Sequence, residues 1–286
     1  QWVRDSTGVV TAKLLAEKAN PQADVVWGLA ASSLMILDQQ GMLDGYAPAG
    51  LAGIKPEFRD AKAQPTWVGM DAWMAALCFN TVEAAKKNLP KPDSWADLAK
   101  PVYKGQVVMP NPASSGTGFL AVSGWLQIMG EKPAWEYMDT LHDNIAVYTH
   151  SGSKPCKMAA AGEYPIGLSI EYTGAQQKTK GAPIDVILAK EGTGWDMEAT
   201  AIVKGTKNLD AARALADWAS TAKAAALYTQ YYAVAAVKGV TNYPANYPAD
   251  AEAAMIKKND FAWAASHRDA ILAEWSKRYN AKSEPK

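Results

Sequence analysis

The sequence predicts an α/β protein whose sheet is largely parallel. Several segments share one pattern, in which a short apolar strand is followed by small hydroxyl-bearing residues and then by an apolar helix. The clearest example runs from a β-branched strand at 106–109, through the turn at 114–118, into a helix that contains Trp125. Strand-to-helix alternation is typical of α/β domains, whose ligands bind outside the carboxyl ends of the strands.

The turn at 114–118 is a candidate anion-binding site. At a helix start several backbone N–H groups have no intrahelical acceptor, and the positive end of the helix dipole points outward. Ser115 and Thr117 can donate hydrogen bonds, and Gly116 lets a ligand approach the backbone. A single turn of this kind would be interpreted as an ordinary N-cap. Recurrence of the pattern elsewhere in the chain favours a ligand site.

Three further turns repeat this arrangement. They lie near the start of the chain, after a predicted buried strand at 23–28, and after a predicted strand at 145–149. Because the carboxyl ends of parallel strands meet at one edge of a sheet, we expect their hydroxyl groups to face a common ligand. The additional candidate ligands are Ser6, Thr7, Ser32 and Ser151.

An acidic and an aromatic residue follow the predicted strand at 166–170. Glu171 and Tyr172 stand at its carboxyl end, and Asp196 lies in a predicted loop farther along the chain. Trp27 in the strand at 23–28 offers another aromatic face. The alternative for each carboxylate is an exposed acid on a loop, and the alternative for Trp27 is a position in the core.

The composition predicts a soluble, globular chain whose partner is a small molecule. Lys plus Arg equals Asp plus Glu at 29 each, without a basic run, so a nucleic-acid or anionic-membrane surface has no electrostatic support. No apolar run approaches the roughly 20 residues of a membrane span. Eleven Trp and twelve Tyr against four Phe favour rings that wall a polar pocket.

The 286 residues are long enough for two domains. A long extended stretch at 67–80 is expected to leave one domain for the other, and the chain is expected to return near 192. We therefore predict one domain from 1–80 with 192–286 and a second from 81–191. The chain begins within an apparent strand, so we expect a preceding segment, with any export signal, outside the sequence.

The two cysteines do not indicate a zinc site. No second Cys or His lies at ligand spacing from Cys78 or Cys156. They either pair as a disulfide or are two buried thiols. Three His and no acidic cluster likewise argue against a metal-binding protein.

Short motifs occur in a characteristic order along the chain. They are 24–27 (DVVW), 94–98 (SWADL), 103–105 (YKG), 114–118 (SSGTG) and 202–208 (IVKGTKN). Their order and spacing resemble those of bacterial solute-binding proteins of ABC importers, in the type II class that includes the ferric-iron-binding proteins. Within this class, 2–8 (WVRDSTG) and 151–157 (SGSKPCK) are similar to the binding proteins for 2-aminoethylphosphonate.

This resemblance implies a two-lobe type II periplasmic binding protein fold with a hinge and an interlobe cleft that closes on the ligand. It implies a periplasmic, monomeric protein without a cofactor that delivers 2-aminoethylphosphonate to permease subunits. The hydroxyl-rich helix starts are expected to hold the phosphonate. Glu171 or Asp196 is expected to pair with the amine, with Tyr172, Trp27 or Trp195 as a cation–π face.

Other functions remain as alternatives. In the iron-binding relatives neighbouring tyrosines near the position of Tyr172 hold the metal, whereas here the pair is Glu171 and Tyr172. Ferric iron, a polyamine or another small zwitterion are therefore the alternative ligands. A serine hydrolase is the rival from another class, but the chain contains no Gly-x-Ser-x-Gly elbow, so we expect a carrier rather than an enzyme.

Overall fold

The computed structural model describes residues 1–285, and within them strands and helices alternate as a mixed α/β fold. The strands are β1 (Val25–Ala30), β2 (Leu43–Asp44), β3 (Val68–Asn80), β4 (Val107–Pro110), β5 (Ile145–Thr149), β6 (Ile166–Ile170), β7 (Ile184–Ile187), β8 (Trp195–Val203) and β9 (Val234–Ala235). The α-helices are α1 (Thr7–Ala16), α2 (Ala31–Gln39), α3 (Thr81–Lys86), α4 (Trp95–Leu98), α5 (Gly116–Met129), α6 (Glu131–Asn144), α7 (Lys154–Ala160), α8 (Glu171–Thr179), α9 (Leu209–Ala219), α10 (Ala222–Tyr228), α11 (Ala251–Ala254) and α12 (Phe261–Tyr279). The predicted α/β fold class is confirmed.

The chain forms two compact units. The first comprises Gln1–Trp73, Asp196–Pro244 and Phe261–Ser266, and the second comprises Met74–Trp195, Ala245–Asp260 and His267–Lys286. The sequence-based division differs in that it assigned 74–80, 192–195 and the two C-terminal segments of the second unit to the first. The chain changes units inside β3, whose thirteen residues are all buried, so no exposed linker marks the boundary in the sequence.

Three strand pairs of the first unit are antiparallel. β1 and β2 both pair with β8, and the first half of β3 pairs with β9. The register between β1 and β8 shifts between Trp27 and Leu29. Gly28 is the extra residue of this β-bulge and has a positive φ of 80°, which glycine adopts without the strain of a Cβ.

The parallel pairing that the sequence predicts occurs in the second unit. There β4 lies between β5 and β6 and is parallel to both. The second half of β3 runs antiparallel to β6 on one side and to β7 on the other. Since β4, β5 and β6 point the same way, the turns that follow them emerge at one edge of the sheet.

Cys78 and Cys156 form a disulfide, which resolves the two alternatives left open by the sequence. The bond joins β3 to α7 across 78 residues, and both cysteines are fully buried beside Ala159 and Ile184. Closing a loop of this length stabilises a folded domain by about 2–4 kcal/mol. Because α7 begins directly after Ser153, the disulfide also fixes the helix that follows the turn at 151–153.

None of the helices within residues 1–285 combines the length and the apolar character needed to cross a membrane.

Candidate ligand-binding site

The start of α5 in the second unit carries the turn that the sequence predicts to bind an anion. Ser115 is the N-cap, and its Oγ accepts a hydrogen bond from the Gly118 N–H at 3.3 Å. The Ser115 and Thr117 side chains are almost completely buried, whereas Gly116 between them is half-buried. The first N–H groups of a helix have no intrahelical acceptor, so the exposed side of this turn presents donors and the positive end of the dipole.

The turn at 151–153 contacts this helix start through Gly152. A Cβ placed on Gly152 would lie 2.5 Å from Thr117 Oγ1 and 2.9 Å from Ser115 Oγ, so only glycine allows the two turns to approach this closely. The Gly152 carbonyl accepts a 2.6 Å hydrogen bond from Ser169 Oγ. The structure thus brings together Ser115, Thr117 and the backbone beside Ser151, as the parallel strands predict.

A polar network supports both turns. His150 Nδ1 lies 3.2 Å from Ser114 Oγ, and its Nε2 lies 2.9 Å from the Glu284 carbonyl oxygen. Since that carbonyl can only accept, Nε2 carries a proton and donates it to this hydrogen bond. The His150 backbone N–H donates to Glu284 Oε1, and Lys154 pairs with the same carboxylate. His150 therefore links the two turns.

Glu171 lies at the carboxyl end of β6, as predicted, but its side chain is fully buried. Oε1 accepts a 2.5 Å hydrogen bond from the Tyr247 hydroxyl, and Oε2 accepts one of 2.9 Å from the Met74 N–H. Burial raises the pKa of Glu171 to about 7. The two hydrogen bonds and the first N–H groups of α8 lower the pKa and so oppose this rise. The hydrogen-bond partners of both carboxylate oxygens are therefore groups of the chain itself. Tyr172 beside it is half-buried.

Asp196 and Ser32 are joined at the start of α2 in the first unit. The Ser32 hydroxyl donates to Asp196 Oδ2 at 2.5 Å, and Oδ1 accepts from the Met197 N–H at 2.7 Å. Burial raises the pKa of Asp196 to about 6, opposed by the Ser32 hydroxyl and by backbone N–H groups that include those of Ser32 and Ala31. The predicted loop acid is thus a strand residue of β8, and the anion at this helix start belongs to the chain itself.

Ser6 and Thr7 are the N-cap and first residue of α1. The Ser6 side chain makes no capping hydrogen bond, and its N–H is bonded to Asp5 Oδ1 at 2.7 Å. Both hydroxyl residues are half-buried, so their placement is compatible with the predicted role.

Sequence reasoning missed Glu198. This half-buried residue of β8 accepts a 3.2 Å hydrogen bond from the Tyr232 hydroxyl, and burial raises its pKa to about 7, opposed by Tyr232 and by the charge of Arg4. Its Oε2 would lie 3.4 Å from a Cβ on Gly28. A strand predicted from 195, in place of the predicted loop, would have placed Asp196 and Glu198 on one face, because side chains alternate along a strand.

Trp27 precedes Gly28 in β1. Its ring is in edge contact with Trp2 at 5.5 Å and with Trp218 at 5.9 Å between ring centroids. The residue is half-buried, whereas its indole Nε1–H is buried and makes no hydrogen bond of ordinary geometry. The edge of the Trp27 ring that carries Nε1 is therefore in the core, as the alternative expectation had it, whereas the residue as a whole is half-buried.

Residues 20–265 match the family described as bacterial extracellular solute-binding proteins. The chain belongs to this family. The predicted resemblance is thereby confirmed at the level of the solute-binding family, and the narrower resemblance to 2-aminoethylphosphonate-binding proteins stays a prediction. Because the family consists of binding proteins, the expectation of a non-enzyme is also confirmed.

Three curated proteins are similar to parts of this solute-binding protein. A protein of Haemophilus influenzae with no described function is 35% identical over 76% of this chain and 64% of its own length. A probable ABC transporter periplasmic-binding protein of Sinorhizobium fredii is 26% identical over 84% of this chain and 68% of its own. The spermidine/putrescine-binding periplasmic protein of Escherichia coli is 30% identical over 42% of this chain and 35% of its own.

Solved structures share the fold. The periplasmic binding protein AfuA from Actinobacillus pleuropneumoniae, with exogenous fructose-6-phosphate bound, has a TM-score of 0.90 at 27% identity, covering 98% of this chain and 90% of that one. Iron-bound HitA from Pseudomonas aeruginosa has a TM-score of 0.77 at 22% identity, with 94% and 87% covered, and shows the fold alone. Among residues 1–285, no three His, Cys, Asp or Glu side chains are grouped to hold a metal ion.

Proposed function

We propose that this chain is the solute-binding component of an ABC importer and captures 2-aminoethylphosphonate. The observation that carries the proposal is the meeting of two hydroxyl-rich turns, 115–117 and 151–153, at Gly152 in the second unit. Two turns offer donors to one anion, whereas an isolated N-cap serves only its helix.

A phosphonate suits this arrangement because its oxygens accept several hydrogen bonds at once. Backbone N–H groups of Gly116 and Thr117, with the hydroxyls of Ser115, Thr117 and Ser151, supply neutral donors, and the α5 dipole adds positive potential. Each hydrogen bond to a charged group is worth about 1.5–3 kcal/mol. AfuA, which was solved with a phosphate ester bound, supports a phosphoryl-type anion as the ligand class.

An amine on the same ligand is supported by a different relative. The Escherichia coli protein that resembles 42% of this chain is described as a binder of spermidine and putrescine. 2-Aminoethylphosphonate combines an ammonium with a phosphonate. Of the predicted amine partners, Glu171 and Asp196 are occupied by donors of the chain itself, so our proposal assigns them to helix capping and retains Tyr172 and Trp27 as aromatic faces.

A periplasmic location and permease subunits as partners complete the proposal. A buried disulfide supports an oxidising compartment, since such bonds persist in the periplasm and are rare in the cytosol. The Sinorhizobium fredii relative carries a periplasmic ABC-transporter description. We propose that the protein acts as a monomer.

A sugar phosphate is the second candidate ligand, and the 27% identity with AfuA favours it. It would use the same turns for its phosphate but would need partners for hydroxyl groups in place of an ammonium.

Isothermal titration calorimetry with 2-aminoethylphosphonate, ethylphosphonate, fructose-6-phosphate, putrescine and ferric citrate tests the proposal. We expect 2-aminoethylphosphonate to bind most tightly and to be recovered unchanged. If fructose-6-phosphate binds most tightly, the anion site holds the phosphate of a sugar phosphate instead. Binding of putrescine or ferric citrate alone would contradict the assignment of these turns to an anion.

A further inference from the structure

Two residues near the end of the sequence lie along β5 in the second unit. Ser283 is paired in parallel with Tyr148, and the Glu284 N–H donates to the Tyr148 carbonyl oxygen at 2.9 Å. The protonated Nε2 of His150 donates to the Glu284 carbonyl oxygen at 2.9 Å. Because the backbone of Glu284 makes these contacts, they do not depend on which side chain residue 284 carries.

The Glu284 side chain contacts residues on both flanks of the turn at 151–153. Oε1 accepts a 2.7 Å hydrogen bond from the His150 N–H, just before the turn, and Oε2 pairs with the Lys154 ammonium, just after it. The side chain of Glu284 is 19% exposed and that of Lys154 is 45% exposed. The backbone bond of His150 thus fixes the carboxylate, and the carboxylate in turn holds the more exposed ammonium.

The carboxyl group of Glu284 is ionised at neutral pH. Partial burial raises its pKa, but this effect is outweighed by hydrogen bonds from Lys154 and the His150 N–H and by the positive charge of Lys154. The pKa of Glu284 is therefore below the ordinary value of about 4.3. The carboxylate and the ammonium form a pair without net charge.

An unpaired charge on Lys154 would act on an anion bound at this turn. The Lys154 N–H donates to the Ser151 carbonyl oxygen at 3.4 Å, so the residue lies against the turn. The Debye length is about 10 Å at 0.1 M salt, and charges closer together than this length are only partly screened. Pairing with Glu284 therefore decides whether the turn lies in a positive potential.

We propose that Glu284 is a positioning residue that neutralises Lys154, so that the anion site at 115–117 and 151–153 offers only uncharged donors. The inference rests on the proposed function and adds to it a residue that acts on the ligand through Lys154. A free lysine would favour ligands of greater net negative charge. With the lysine neutralised, a zwitterion such as 2-aminoethylphosphonate competes better with a plain phosphonate.

Three variants that change the charge in different directions test the inference. Glu284→Gln keeps an acceptor for the His150 N–H but leaves the Lys154 ammonium unpaired. Lys154→Met keeps the aliphatic stem but leaves the carboxylate unpaired, and the double variant removes both charges. Calorimetry of wild type and each variant with ethylphosphonate, 2-aminoethylphosphonate and fructose-6-phosphate measures the affinities. Thermal unfolding establishes that each variant is folded.

The two single variants should change the affinity in opposite directions. At about 0.1 M salt we expect Glu284→Gln to raise the affinity for ethylphosphonate about 3-fold, and Lys154→Met to lower it by about the same factor. The double variant should lie within about 2-fold of wild type. Glu284→Gln should raise the affinity for 2-aminoethylphosphonate by a smaller factor. A residue that only supports the fold would weaken binding in each variant.

Salt provides an independent readout of the same charge. At about 1 M salt, where the Debye length is about 3 Å, the affinities of both single variants should approach that of wild type. Loss of a purely structural contact would not be restored by salt in this way. Single-variant affinities whose ratio to wild type stays constant from about 0.1 M to about 1 M salt would contradict the inference.

Glu83→Gln is the matched control. Glu83 pairs with Lys86 on α3 at 2.6 Å, and here too the acid is the more covered partner, with side chains 21% and 64% exposed. Because α3 follows the end of β3, which is antiparallel to β6, it begins at the edge of the sheet opposite the two turns. Glu83→Gln should change the affinity for each anion less than about 1.5-fold.

Unchanged affinities in both single variants, or changes in the same direction, would overturn the inference while the proposed function stands. If wild type binds fructose-6-phosphate and neither phosphonate, the proposed function fails. The opposite effects of Glu284→Gln and Lys154→Met on fructose-6-phosphate binding then decide the role of Glu284. If wild type binds none of the three anions, both proposals fail.

Discussion

Gly152 and Thr117 approach so closely that a Cβ on Gly152 would lie 2.5 Å from Thr117 Oγ1. The two residues come from turns 35 positions apart in the sequence, after adjacent parallel strands. Thr117 is β-branched, and its χ1 is restricted on the first turn of a helix, so it cannot easily move away. The distance between these residues therefore sets the shape of the proposed anion site.

We expect Gly152→Ala to reduce phosphonate affinity substantially, because the methyl group must displace Thr117 and Ser115. Calorimetry with 2-aminoethylphosphonate measures the effect. Gly53→Ala is the matched control, since a Cβ on Gly53 meets no atom within 4 Å. Equal affinities for the two variants would show that the turns are not close in solution.

Thr117→Ala should weaken phosphonate binding by roughly 1–3 kcal/mol, because charge-assisted hydrogen bonds to the ligand would be lost. Thr140→Ala on α6 removes a hydroxyl that bonds only a carbonyl of its own helix, that of Glu136, and should leave affinity unchanged. Calorimetric titrations of both variants with 2-aminoethylphosphonate measure the two affinities. An unchanged affinity of Thr117→Ala would remove this helix start from the site.

Removing the disulfide by the double replacement Cys78→Ala and Cys156→Ala should lower the free energy of unfolding by about 2–5 kcal/mol. Urea unfolding of both proteins under non-reducing conditions measures the difference. Wild type with added reductant should approach the double variant only after unfolding, because both sulfurs are fully buried. Equal urea midpoints for wild type and the double variant without reductant would contradict a stabilising role of the disulfide.

Stability should depend on pH through Glu171. Burial raises its folded-state pKa to about 7, above the unfolded value of about 4.3. For an acid whose pKa is raised by folding, the contribution to stability is present below the unfolded pKa and is lost as pH rises through the folded pKa. We therefore expect Glu171→Gln to gain stability relative to wild type between pH 5 and pH 8.

Urea unfolding at both pH values checks this expectation, with Glu136→Gln on the exposed face of α6 as the control. The difference in stability between variant and wild type at each pH cancels the contributions of other titrating groups, including Asp196 and Glu198. A stability difference between Glu171→Gln and wild type that stays constant with pH would show that the carboxyl is ionised throughout the range.

The strand–turn–helix elements could be predicted from the sequence because their signals are local. The turn at 114–118 was correctly placed between β4 and α5, since a β-branched run, small residues and helical periodicity follow one another directly. Its proximity to Gly152 follows from the parallel order of β4 and β5. The fold class and this part of the candidate site required no long-range information.

The surroundings of the carboxylates could not be predicted in the same way. Tyr247, which is bonded to Glu171, lies 76 residues later, and Ser32 and Asp196 are 164 residues apart. Nothing local distinguishes a ligand-binding acid from one that caps a helix across the fold. Glu198 was missed because the sequence predicted a loop around Asp196, whereas β8 begins at Trp195.

The most direct measurement of the central claim is a calorimetric titration of wild type and Thr117→Ala with 2-aminoethylphosphonate under identical conditions. The account predicts saturable one-to-one binding to wild type, recovery of the ligand unchanged, and an affinity about 10-fold or more lower for the folded variant. Absence of binding to wild type, or equal affinities for the two proteins, would contradict it.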